Sequence, residues 1–258
     1  MEKIASILIP FDFSPSAIKA LDYAVNFVGD DEVKINLLHV SDEATIEKMR
    51  EAYEQYSEKY DGRLKLPLRW ILGWGSFTKT ILEAREEKKT EIIIMGTSGL
   101  TQEDGYTHTS QLVAEANCPV IVVPEDTDKS HVKNISLVIG NKEIDAPKAL
   151  NALLEIARKH NANVHVLTVQ NSENTTGYSK IDEKNENTLM YYLENFYAEH
   201  TFTENEDIVE GIFHYAETHN IDMVAILPRH HAKHGVPSEG RLTKELVLQS
   251  KIPVLTIE

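Results

Sequence analysis

Cysteine is nearly absent: Cys118 stands alone among 258 residues. A single thiol closes no intrachain disulfide, which fits a reducing compartment. Cys118 directly precedes "PVIVV", so it reads as a small buried hydrophobe in preference to a reactive thiol. Long apolar runs are missing too. The run in "MEKIASILIPFD" stops at Asp12, too early for a signal peptide, and no segment approaches the ~20 apolar residues of a membrane span. Positive charge is scarce: 26 Lys and Arg stand against 41 Asp and Glu, a formal net charge of -15. Duplex DNA and anionic membranes both call for clustered cations, so neither is an expected partner. A soluble, cytoplasmic protein is expected. The apolar fraction of 41% suffices for packed cores, and only "QNSENTTGYSKIDEKNEN" is a conspicuously polar patch.

Common catalytic signatures are also lacking. There is no P-loop with its lysine and no Gly-x-Gly-x-x-Gly dinucleotide loop. His39 has no serine or cysteine in a triad-like sequence context. No catalytic residue is therefore assigned.

What the chain does contain is itself, twice. "ILIPFDFSPSAIKAL" (Ile7 to Leu21) aligns without gaps on "SLVIGNKEIDAPKAL" (Ser136 to Leu150) at an offset of 129, and the same offset carries "INLLHV" onto "VHVLTV". Further on, "TEIIIMG" matches "IDMVAIL" and "CPVIVV" matches "IPVLTI", at offsets of 131 and 134. Such drift is what insertions in surface loops produce. Two domains follow, residues 1–128 and 132–258, joined near "PEDTDKSHVKN".

Each copy alternates strand and helix patterns. In the first, "IASILIP", "KINLLHV", "LKLPLRWI", "EIIIMG" and "CPVIVV" read as buried parallel strands. Ser14 can cap a helix with Pro15 at its first position and Ala17, Leu21, Ala24 and Val28 on one face. Residues 43–60 and 76–88 form two further helical patterns. The expected class is α/β: two tandem Rossmann-like domains, each an open, doubly wound, mainly parallel five-stranded sheet with helices on both faces. Such sheets hold ligands beyond the carboxyl ends of the strands, at the switch point.

Several residues at those ends suit a flat, sugar-linked ligand. Asp12 can accept hydrogen bonds from ribose hydroxyls or an adenine amino group, or else help Ser14 start the helix. Val40 and Met95 can wall a base. Gly96-Thr97-Ser98-Gly99 can turn its N–H groups onto a phosphate.

Together "ILIPFDFSPSAIKALDYA", "LLHV", "IIIMGTSG" and "CPVIVV" resemble the universal stress protein family, and the duplication resembles its tandem subclass. The resemblance implies the adenine nucleotide alpha hydrolase-like version of the fold. It implies base and ribose contacts from Pro10, Asp12, Val40 and Met95, and phosphate contacts from Gly96 and Gly99. ATP, ADP or AMP, with Mg2+, is the implied ligand set of the first domain. No catalytic machinery comes with the pattern.

The chain departs from that pattern where phosphates would sit. The family's third glycine, with its Ser or Thr, opens the last helix nine residues after Gly-x-x-Gly. Counting forward reaches Thr109-Ser110, and counting back from Cys118 reaches Tyr106-Thr107. Thr107, Thr109 and Ser110 thus join the candidate site, and the second alignment is preferred because a loop shrinks more easily than core. No Lys or Arg occurs between Lys89 and Lys129, while Glu103 and Asp104 lie within the loop. Adenosine or AMP is expected ahead of ATP, since like charges near a triphosphate repel.

In the second copy Ile139 and Asn141 replace the proline and the acid, and "LPRHHAKHGVPSEGRLTKE" replaces the glycine loop. Its Arg229, His230, His231, Gly240 and Arg241 form a weak candidate anion site. His230, His231 and His234 lack the further ligands that would complete a metal set, so no metal is assigned. Trp70 and Trp74 are expected to pack in the core or at strand ends.

The expected function is a stress-response sensor or adaptor with an unknown protein partner. Alternatives are a scaffold without small ligands and a slow nucleotide hydrolase. The edges "CPVIVV" and "IPVLTIE" are expected to pair antiparallel as an intrachain pseudo-dimer, with association of two chains left open.

Overall fold

The structure is a computed structural model, and it describes residues 3–41, 46–99, 107–140, 142–144, 147–171, 178–227 and 239–257. The chain divides into two compact units, Glu2–Ser130 and His131–Glu258. Each is an α/β unit with a parallel five-stranded sheet.

In the first unit the strands are β1 (Ser6–Pro10), β2 (Lys34–Val40), β3 (Arg69–Gly73), β4 (Ile92–Thr97) and β5 (Val120–Pro124). Their order is β3-β2-β1-β4-β5, with every pairing parallel. Connections run outward from β1 in both directions, so the switch point lies between β1 and β4. Both faces are covered, which explains why β1, β4 and β5 are near-continuous apolar runs, broken only by Ser6, Gly96 and Thr97 at their ends, instead of alternating. Strand β3 begins later than the run "LKLPLRWI" suggests, because Pro67 lacks the N–H a ladder needs.

Helix α1 (Pro15–Val28) follows β1. The Ser14 hydroxyl accepts from the Ala17 N–H at 3.2 Å, and Pro15 occupies the first turn, where its missing N–H costs nothing. Ala17, Ala20, Leu21, Ala24 and Val28 are all buried. Helices α2 (Ile46–Lys59), α3 (Phe77–Lys88) and α4 (His108–Glu115) complete the unit. Asp22 on α1 accepts from the Tyr60 hydroxyl at 2.6 Å and the Lys59 ammonium at 3.1 Å, which ties α1 to the end of α2.

The second unit repeats the plan with β6 (Asn134–Val138), β7 (Asn163–Gln170), β8 (Tyr197–Glu204), β9 (Met223–Ile226) and β10 (Val254–Thr256). Its order, β8-β7-β6-β9-β10, is the same switchback, again with every pairing parallel. Two departures trace to sequence. Pro147 falls where the first copy has Ile18, whose N–H makes the first bond of α1, to the Ser14 carbonyl. A proline cannot make it; there the chain makes a 3-10 turn over Pro147–Leu150, and α5 spans only Asn151–His160. The patch that reads as merely polar contains the start of α6 (Lys180–Leu193). Ser179 and Asp182 open that helix with a reciprocal capping box, the Asp182 N–H donating to Ser179 Oγ at 3.2 Å and the Ser179 N–H to Asp182 Oδ2 at 2.8 Å. Helices α7 (Ile208–Thr218) and α8 (Glu239–Gln249) follow.

Among the described residues no helix is long and apolar enough to cross a membrane.

Candidate functional site

The chain leaves β1 at Pro10, which is buried. Phe11 continues the strand by donating its N–H to the Leu38 carbonyl at 2.8 Å. Its ring is 1% exposed and meets Phe13, Tyr56 and Trp70 edge-on, with centroids at 5.2, 5.3 and 5.7 Å. Asp12 turns out to solvent, and its Oδ1 accepts the Ser14 N–H at 3.0 Å. The helix-starting role of Asp12 is therefore present, and the remaining carboxylate lone pairs face outward.

Phe13 was invisible to sequence reasoning. Its φ of +67° lies in the left-handed region, where a bulky side chain is strained. The turn carries its ring onto His39 at 4.9 Å and nearly parallel to Trp70 at 6.3 Å. His39 is buried, and its Nδ1–H donates to the Phe11 carbonyl at 2.7 Å. This imidazole is a brace for the β1 turn. Tyr56 borders the same nest; burial, helped by Asp22, raises its hydroxyl pKa. Trp70 packs inside it, whereas Trp74, one residue past β3, is 61% exposed and departs from the expected packing.

A pair of substitutions separates strain from packing at Phe13. Phe13→Ala loses the ring and keeps a Cβ at positive φ; Phe13→Gly loses the ring and relieves the backbone. Denaturant titration should show the glycine variant more stable than the alanine variant by about 1 kcal/mol. Equal stabilities would mean that the turn relaxes once the ring is gone.

On the β1 side of the switch point Val40, half-buried, ends β2 opposite Gly73; on the other side Met95 of β4 is buried. Gly96 lies within β4, not in the loop after it. A Cβ there would sit 2.0 Å from the Ser16 carbonyl oxygen and 2.3 Å from its carbon, so the first turn of α1 rests directly on the β4 backbone. Thr109, in the first turn of α4, donates its hydroxyl to the Gly96 carbonyl in a long 3.5 Å bond. The start of α1, the end of β4 and the start of α4 thus converge on Gly96. Two helix N-termini bring partial positive charge to that corner. Gly99 has a φ of +87°, and its N–H donates to Thr97 Oγ1 at 3.2 Å.

Helix α4 opens after Thr107, the position reached by counting back from Cys118, and not at Thr109-Ser110. Thr107 Oγ1 accepts the Ser110 N–H at 3.1 Å, and Ser110 Oγ accepts the Thr107 N–H at 3.0 Å. Both hydroxyls are thus engaged in starting the helix. Gly105 and Tyr106, with Glu103 and Asp104, lie outside the described residues.

The corresponding corner of the second unit is built differently. Ile139 donates its N–H to the Leu167 carbonyl at 3.0 Å, as Phe11 does to Leu38. Beyond it, Asn185 of α6, 1% exposed, accepts the Ile144 N–H and donates to the Lys142 carbonyl, both at 2.9 Å. The segment that carries Asp12 in the first copy is here pinned by a buried amide. The backbone places Gly240 and Arg241 at the start of α8; Arg229, His230, His231 and His234, like Asn141, lie outside the described residues.

A doubly wound α/β unit occurring twice, in the first copy with an acid after β1 and a glycine in β4 against the start of α1, defines the class of the protein. The universal stress protein family model matches residues 3–124 and again 131–258, and the chain belongs to that family, with two domains in tandem. A universal stress protein from Archaeoglobus fulgidus DSM 4304 superposes with a TM-score of 0.70 at 16% identity, over 98% of this chain and 96% of that one. A protein of unknown function from Pseudomonas aeruginosa PAO1 gives 0.63 at 14% identity, over 98% and 92%. The cytoplasmic domain of a prokaryotic cation chloride cotransporter gives 0.53 at 10% identity, over 100% and 95%. At these identities the likeness is one of fold. Comparison with curated proteins found no match.

Proposed function

We propose that the chain is a stress-response sensor or adaptor whose first unit holds an adenine nucleotide of low charge. The observation that carries this reading is the convergence of the α1 start, the β4 end and the α4 start on Gly96, at the switch point where such sheets hold ligands.

The residues fit a base, a ribose and a single phosphate. Asp12 presents free carboxylate lone pairs to a sugar hydroxyl or an exocyclic amine. Pro10, Val40 and Met95 supply apolar wall. The start of α4, with Thr109 in its first turn, supplies dipole for one anionic group. The N–H groups of Gly99, Thr107 and Ser110 are engaged by Thr97 Oγ1, Ser110 Oγ and Thr107 Oγ1 and would have to exchange those partners to reach it. A triphosphate fits less well, since the chain has no Lys or Arg between Lys89 and Lys129. Magnesium would ease that repulsion and adds nothing for adenosine. Ligand binding would bias the segment from Gly96 to Ser110 between two arrangements that a partner protein distinguishes. The role is one of binding without turnover, performed by the first unit; the second, its equivalent segment held by Asn185, is a companion scaffold.

Thermal-shift titration with adenosine, AMP, ADP and ATP, each with and without Mg2+, tests this. AMP and adenosine should raise Tm further than ATP, by amounts equivalent to about 2.7 kcal/mol at a hundredfold excess over Kd. Asp12→Ala should abolish the shift. No response to any of the four at about millimolar concentration, far above any affinity useful to a sensor, ends the nucleotide reading in favour of a scaffold. Magnesium-dependent turnover lost in Asp12→Ala would instead favour a hydrolase.

A further inference from the structure

Equivalent places in the two units hold different rings. In the first, Leu37 of β2 lies opposite Trp70 of β3; in the second, Val166 of β7, at the offset of 129, lies opposite His200 of β8. An imidazole thus takes the register place of the indole that belongs to the aromatic nest. Thr168 stands where the first copy has His39, and its hydroxyl lies 3.0 Å from His200 Nε2.

The surroundings offer that imidazole little else. Its ring lies against Phe202, with centroids at 4.2 Å. Nδ1 is shut off from water and has no hydrogen-bond partner among the described residues. The neutral ring tolerates this, because the tautomer that donates from Nε2 to Thr168 leaves only a lone pair unanswered. A proton added from solvent at Nδ1 turns that lone pair into a charged, buried N–H without an acceptor, which is a costly group to leave unpaired.

Acceptors stand close by but are committed. Tyr178, just before α6, sets its ring edge-on to Phe202 at 5.9 Å. Its hydroxyl donates to Glu186 Oε2 at 2.6 Å, and Tyr197 of β8 donates to Glu186 Oε1 at 3.1 Å. Asp182 Oδ2 accepts both the N–H and the hydroxyl of Ser179 in the helix cap. Glu186 and Asp182 are the charged groups that act on His200, and both favour its protonation. Burial outweighs them and holds the imidazole below its ordinary pKa of 6.5. On the same face β7 presents Val166 and Thr168, neither charged. His165 and Glu199, 3.3 Å apart, alternate to the opposite face, as does Thr201, which meets Tyr215 of α7.

We propose that His200 makes the second unit acid-responsive: on taking up a proton it loosens the start of α6 from β8. The charged ring gains either water, by opening of the helix start, or Glu186, which then gives up its tyrosines. Both routes break the Tyr178–Glu186–Tyr197 bridge and weaken the hold of Tyr178 on Phe202. At the equivalent place of the first unit, Trp70 takes no proton. The device involves none of the first unit's nucleotide-site residues and stands whether or not a nucleotide binds. Its sign follows from linkage. Well above pH 6.5 His200 is neutral in both forms, and pH has no effect through it. Below 6.5 the loosened form, with an ordinary imidazole, takes the proton first. It then gains by up to about tenfold per pH unit, the limit for one proton, until the packed ring is charged as well.

Hydrogen-exchange mass spectrometry of the full chain between about pH 8 and about pH 5.5, the range in which imidazoles titrate, tests this. After correction for intrinsic exchange rates, protection of the α6 amides, Lys180–Leu193, should fall as the pH drops. In His200→Gln, whose amide can still donate to Thr168 but takes no proton, that fall should vanish. His200→Phe, nearer to the indole it corresponds to, serves the same comparison if the glutamine variant does not fold. One imidazole NMR signal of the wild type, absent from the folded variant, should titrate below 6.5. A His200 signal that titrates at 6.5 or above, an α6 indifferent to pH, or an equal fall in the variant overturns the inference.

Discussion

Replacing Gly96 by alanine is expected to destabilise the first unit by about 3 kcal/mol or more, at the upper end of what overpacking costs. The added Cβ meets backbone, not a side chain: the Ser16 carbonyl oxygen at 2.0 Å and its carbon at 2.3 Å. A side chain in the way can change rotamer; the first turn of a helix cannot. Either α1 lifts from β4, opening the packing around Ala17, Ala20 and Leu21, or β4 shifts in its ladder between β1 and β5. The ligand corner distorts in both cases, because Thr109 bonds the Gly96 carbonyl. Denaturant unfolding followed by the first unit's tryptophans, Trp70 and Trp74, measures the loss, since both indoles of the chain lie there. A contrasting variant, Gly73→Ala, meets chiefly the tip of the Thr80 side chain and a Leu38 methyl; it should cost distinctly less. A near-neutral Gly96→Ala would show that α1 does not rest on β4 as described.

Gly96 also shows where sequence reasoning stops. Its position after a buried strand, followed by Gly99, suggested backbone drawn close to a phosphate. The close approach exists, but the approaching group is the chain's own helix. Sequence records that a β-carbon is unwelcome and not what excludes it. Signals complete within a few residues were legible: Ser14 and Pro15 announcing α1, the apolar runs of β1, β4 and β5, and the two-copy pattern that follows from repeating them. What depended on distant partners was not. Phe13 takes a left-handed φ because His39 and Trp70 receive its ring, and neither is near it in sequence. The polar stretch before Leu193 concealed α6 because two of the side chains facing the core, Asp182 and Asn185, are polar and satisfied, one by a cap and the other by the 142–144 backbone. Apolar periodicity cannot find a face that is buried through hydrogen bonds.

Phe11→Ala is expected to be the other severe substitution, costing about 3 to 5 kcal/mol. Phe11 lies at the centre of the aromatic nest, in edge-on contact with Phe13, Tyr56 and Trp70. Removing its ring leaves a space that these neighbours cannot readily fill. Phe13 is held by its own strained turn, Tyr56 belongs to α2 and Trp70 to β3, each anchored by separate backbone hydrogen bonds. The Phe11 backbone stays useful, because its N–H still reaches Leu38 and its carbonyl still receives His39. The loss should therefore be one of packing. Phe11→Leu, which refills part of the volume, should recover about half of it. Near-ultraviolet circular dichroism should weaken with Trp70's fixed surroundings while the far-ultraviolet signal persists. Retention of full stability in Phe11→Ala would mean that the nest closes by movement of α2, and would remove the rigid floor on which Asp12 is presented to a ligand.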